Sequence, residues 1–145
     1  MLEIRNLSAA YGESGAVKQV SFSVEPGQIV GIVGESGSGK STLLKCIMGL
    51  PDGRGRILGG DILLKGRSLL VMGEAELQKL RGKELAMVFQ NPELSLDPLW
   101  TIEKTFYESI RVHSPVTKAQ ARQQGIGLLK ALDLADPEKV LASYP

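Results

Sequence analysis

Between positions 34 and 42 the chain reads Gly34, Glu35, Ser36, Gly37, Ser38, Gly39, Lys40, Ser41 and Thr42, an order that few folds accommodate. Glycines at this density let the backbone wrap closely enough for successive N–H groups to face one anion. Such a loop requires a buried strand before it and a helix after it. Both are legible. Residues 28–33 form an apolar run that follows the tight-turn sequence Glu25-Pro26-Gly27, and residues 41–50 contain no Gly or Pro until Gly49. The helix N-terminus contributes partial positive charge. Lys40 can meet the β- and γ-phosphates as a point charge, and the Ser41 hydroxyl can ligate Mg²⁺. Glu35, Ser36 and Ser38 occupy the variable positions, as spacers within the binding run. The pattern predicts a nucleoside triphosphate site.

Composition narrows the remaining classes. With 145 residues, 43% hydrophobic, the chain has the length and apolar content of one ordinary globular domain. A net charge of +1 gives no footprint for nucleic acid. The single cysteine, Cys46, reads as a small buried hydrophobe in the helix after the loop. No apolar stretch approaches the roughly 18 residues of a membrane span, and the N-terminus has no charged-then-apolar leader. The expectation is a protein with no span of its own and no export signal.

Residues 2–7 and 20–24 alternate apolar and polar, as half-buried strands do, with turn composition over residues 9–15. Residues 51–55 interrupt the pattern. Residues 56–58 and 62–65 suggest a short antiparallel pair, residues 74–80 a short helix, and residues 85–89 a second buried strand that ends at Gln90-Asn91-Pro92. Further on, Ile102, Phe106 and Ile110 form one helical stripe. Thr117 with Gln120 is a capping box, and Ile126, Leu129 and Leu132, with Leu128 beside them, line one side of the helix it opens. Asp136-Pro137 starts a third helix. The alternating charges of residues 65–84 admit two readings, a solvated face with supporting pairs or a partner-docking patch. His113 reads as a solvated helix-end residue.

The order of these features resembles the ATP-binding subunits of ABC transporters, in particular the branch serving oligopeptide, dipeptide and nickel importers. It is carried by Tyr11, by residues 34–42, by the Gly59-Gly60-Asp61-Ile62 hairpin region, and by residues 81–92 followed by Ser95-Leu96-Asp97-Pro98. The likeness implies an α/β nucleotide-binding domain of the P-loop type. Its parts are an antiparallel β part, a partial parallel core sheet and a helical subdomain, divided as residues 1–92 and 93–145. It implies ATP and Mg²⁺ as cofactors, with Tyr11 stacking on adenine and Gln90 placing Mg²⁺ and the attacking water. It further implies transmembrane permease partners, a second ATP-binding subunit met head to tail, and a cytoplasmic location on the inner face of the plasma membrane.

The chain reads to Leu141-Ala142-Ser143-Tyr144-Pro145, ahead of the place where the family carries its Ser-Gly-Gly signature, its second carboxylate-bearing strand, its general-base Glu and its switch His. The expectation is therefore weak nucleotide binding and negligible hydrolysis by this chain alone. Core strands lacking their neighbours would leave unpaired edges. A non-catalytic nucleotide-binding module that assembles with a complete subunit is the alternative reading. A GTPase fits less well, because there is no Asn-Lys-x-Asp run, and a small-molecule kinase fits less well because of Tyr11 before the loop and the late helical insert.

Overall fold

The computed structural model describes residues 1–11, 14–50 and 55–145, with the backbone alone at residues 11, 14 and 15. Two compact units, Met1–Ala86 and Met87–Pro145, divide the chain.

In the first unit, β1 (Leu2–Tyr11) and β2 (Ser14–Val24) form an antiparallel hairpin, so residues 9–11 and 14–15 belong to strands rather than to the expected turn. Next come α1 (Lys40–Ile47), β3 (Gly55–Leu64), β4 (Arg67–Ser68) and α2 (Glu74–Leu80), the last with the bounds read from the sequence. The sheet order is β2-β1-β3-β4, antiparallel throughout. Ile4 stands between Phe22 and Ile62 in register, and Ile4, Leu7 and Ile62 are fully buried. Leu43, Cys46 and Ile47 add the core-facing side of α1.

β3 corrects one expectation. Residues 56–58 and 62–65 are not two strands of a hairpin; they lie in or next to one continuous strand paired to β1. The Gly59-Gly60-Asp61 segment makes a bulge instead of a turn, with the register shifting between Arg5 and Ser8. Gly60 has φ +88°, and a Cβ there would stand 2.5 Å from the carbonyl oxygens of Arg5 and Asn6. Serines repair the ladder where it breaks. Ser21 Oγ accepts from the Asn6 N–H at 2.8 Å, and Ser8 Oγ accepts from the Gln19 N–H at 3.0 Å.

The runs expected as buried parallel strands, residues 28–33 and 85–89, have no ladder. Ile29 is 96% exposed, Val33 93% and Val88 88%. An apolar run supplies the side chains of a buried strand, but a ladder requires a second backbone. Among the described residues no strand pairs with these segments, and Leu85 makes only an isolated bridge to the nearby Arg81.

The second unit is helical. After a 3-10 turn at Pro92–Ser95 come α3 (Ile102–Arg111), α4 (Lys118–Ala131) and α5 (Pro137–Ala142). The Thr117–Gln120 capping box forms, and Asp136 caps α5 by accepting from the Lys139 N–H at 3.1 Å. Ile126, Leu129 and Leu141 make the core, with Ile102, Phe106 and Val140 against it. Leu132 does not join the apolar side as expected, and Leu128 is also exposed. Position 132 is the C-cap, where the chain leaves helical geometry and carries its side chain off the stripe.

Candidate phosphate-binding site

The segment before α1 follows from a tight turn, in which the Gln28 N–H donates to the Glu25 carbonyl at 3.0 Å. Residues 31–35 then carry no regular secondary structure, and a turn over residues 36–39 delivers the chain into α1. Gly39 is the N-cap, at φ +91° and with no capping side chain. A Cβ there would fall 2.0 Å from the Ala16 carbonyl oxygen, so only glycine lets the loop lie this close to β2.

The polar groups of the loop point to an anion. The Ser38 N–H donates to the Glu35 carbonyl at 3.2 Å, and the Gly39 carbonyl accepts from the Leu43 N–H at 2.8 Å. Among the described residues the N–H groups of Lys40, Ser41 and Thr42 meet no acceptor, as the opening residues of an uncapped helix must not. No acidic residue occupies the first turn of α1. Lys40 folds back over the loop, and its Nζ donates to the carbonyls of Gly34 and Glu35, each at 2.7 Å, with Ser38 Oγ at 3.3 Å. The ammonium, the free amides and the helix dipole therefore converge on one concave stretch of backbone. A hollow of about 260 Å³ adjoins it, lined by the loop and by residues of β2.

Ser41 is exposed in the first turn of α1, and Thr42 is half-buried beside it. Among the described residues no group of three or more His, Cys, Asp or Glu side chains is placed to hold a metal. A lone hydroxyl suits Mg²⁺ that arrives with phosphate oxygens and water as its other ligands.

The far end of α1 is held by a residue that the sequence pattern does not single out. Gly49, with φ +62°, ends the helix, and the Leu50 N–H returns to the Lys45 carbonyl at 2.9 Å. Arg81 then donates from Nε to the Met48 carbonyl and from Nη2 to the Gly49 carbonyl, both at 2.9 Å, while its Nη1 meets Glu74 at 2.5 Å. This guanidinium satisfies two carbonyls that are otherwise unpaired among the described residues, and it sits at the negative end of the helix dipole. Replacing Arg81 with alanine is expected to cost about 2 kcal/mol of stability, read as a lower denaturant midpoint with an unchanged slope. An unchanged midpoint would show that water serves those carbonyls equally well. Cys46, buried on the core side of α1, has its thiol pKa pushed up by burial.

Of the other expected site residues, Tyr11 has its backbone at the end of β1, paired with Ser14 and Gly55, while its side chain lies outside the described residues. Gln90 is an exposed bend residue of the second unit. In the charged stretch, Lys65 pairs with Glu84 at 2.9 Å and Arg67 with Glu76 at 3.9 Å, the arrangement of a solvated, self-paired face. No helix among the described residues is long and apolar enough to cross a membrane.

Comparison with known proteins adds an independent line. A family profile described as ABC transporter matches residues 17–144. A probable peptide ABC transporter ATP-binding protein, y4tR, of Sinorhizobium fredii is 37% identical across the whole chain, which covers 45% of it. The dipeptide transport ATP-binding protein DppD of Escherichia coli is 40% identical, with 46% of its length covered. The chain thus spans less than half the length of these curated relatives. Among solved structures, the dimeric ABC transporter cassette MJ0796 superposes with a TM-score of 0.82 at 26% identity, covering all of this chain and 62% of that one. The same cassette in a post-hydrolysis state bound to ADP and Pi gives 0.79.

Proposed function

Because this chain belongs to the ABC transporter family, we propose that it is the nucleotide-binding portion of an ATP-binding subunit in an importer of the peptide, dipeptide or nickel class. The observation that carries this reading is Lys40 closed over Gly34 and Glu35 beside the unpaired amides of Lys40, Ser41 and Thr42. In the proposal residues 34–42 hold the β- and γ-phosphates of ATP. Lys40 turns from the loop carbonyls toward the phosphate oxygens, and Ser41 offers its hydroxyl to Mg²⁺, which neutralises charge on the triphosphate. Tyr11 stacks on adenine, and Gln90 orients water.

The names of the relatives support peptide or dipeptide cargo. Permease subunits, a second ATP-binding subunit and a position on the inner face of the plasma membrane complete the proposal, and the dimeric form of MJ0796 supports pairing. The test is calorimetric titration of the chain with ATP and Mg²⁺. Saturable binding that disappears when Lys40 is replaced supports the reading, and a folded chain indifferent to ATP refutes it.

A further inference from the structure

Packing, not hydrogen bonding, seats the phosphate loop on the sheet. Among the described residues, the hydrogen bonds of residues 34–39 close within the loop or onto α1, and none reaches β2. Gly39, as the N-cap, offers no side chain to brace the helix start. Two groups of β2 meet it instead, the Ala16 carbonyl and the side chain of Val17. A Cβ on Gly39 would stand 2.0 Å from the Ala16 oxygen and 3.4 Å from Val17 Cγ2.

Val17 has the properties of a fixed wall. It is buried, its neighbour across the β1 ladder is the fully buried Ala9, and Leu43 of α1 lines the same hollow. Strand alternation turns Val17 toward the core and toward Gly39, and sends the exposed Lys18 the other way. A β-branched side chain has little rotamer freedom, so its γ-carbons do not swing aside. Directly after Gly39 come the amides of Lys40, Ser41 and Thr42, which meet no acceptor among the described residues. Where Gly39 sits decides where those amides point.

We infer that Val17 is a positioning residue for nucleotide binding: its γ-carbons hold Gly39 in place and so aim the amides that follow at the phosphates. This inference rests on the nucleotide-binding reading above and deepens it by naming, outside the loop, the side chain that sets the loop's geometry. Val17 acts through Gly39 and not on the ligand. Its effect therefore belongs to the phosphates and is blind to the base and sugar.

The experiment titrates the whole chain with MgATP and, separately, with Mg²⁺ and inorganic tripolyphosphate, each variant being held below its own unfolding transition. V17A leaves a gap behind Gly39 and should weaken both ligands about tenfold. V17T keeps the shape of valine but buries a hydroxyl, so it should melt lower and yet bind both ligands within about twofold of wild type. V17C, kept reduced, retains one γ-atom and should weaken both about threefold, which carries the test if V17A does not fold. Loss of affinity for MgATP alone would make Val17 a nucleoside contact and overturn the inference. So would folded V17A or V17C binding as wild type, or V17T losing as much affinity as V17A. A wild type that binds MgATP but not tripolyphosphate overturns it too, because the aimed amides would then hold nothing by themselves. A folded wild type that binds neither ligand overturns the nucleotide reading itself.

Discussion

Lys40→Ala should weaken binding of MgATP by about 100-fold and leave the fold intact. The two halves of this result have separate causes. The ammonium is the only side-chain cation engaged with the loop oxygens among the described residues, and its bonds to phosphate are charge-assisted, worth about 1.5–3 kcal/mol each. Losing about 3 kcal/mol is two decades in the dissociation constant. The bonds it makes in the free chain are solvent-exposed, so water replaces them on the carbonyls of Gly34 and Glu35. Stability should change by less than about 0.5 kcal/mol, a shift of about 2 °C or less. Equal affinity in variant and wild type would remove the loop from the site.

Gly60→Ala should lower the melting temperature by about 10 °C. Its φ of +88° costs a side chain of order 1–3 kcal/mol. The added carbon also meets two backbone oxygens at 2.5 Å, those of Arg5 and Asn6. Neither can retreat freely, because β1 is held on both sides, by β2 and by β3. Together these effects amount to about 3 kcal/mol or more, which for a chain of this size is the stated shift. Thermal unfolding followed by circular dichroism checks it. A fall of under about 2 °C would show that the bulge relaxes around the methyl group.

The legible and illegible parts of this chain divide along a physical line. The loop, α2 and the caps at Thr117 and Asp136 are written in neighbouring residues, because a cap or a glycine turn is a local event. What required a distant backbone was misread or missed. Gly59-Gly60-Asp61 has the composition of a turn, yet it is the proximity of Arg5 and Asn6 that makes it a bulge. The apolar runs at residues 28–33 and 85–89 declare a tendency toward burial, and no ladder realises it. Arg81 looks like one more charge in a charged stretch, and its engagement with the Met48 and Gly49 carbonyls has no signature in spacing.

That engagement has a mechanical consequence. Arg81 holds the last carbonyls of α1, Leu43, Cys46 and Ile47 are buried along its core side, and Gly39 rests against the Ala16 carbonyl. The first turn therefore stands on a framework braced at both ends and along its length.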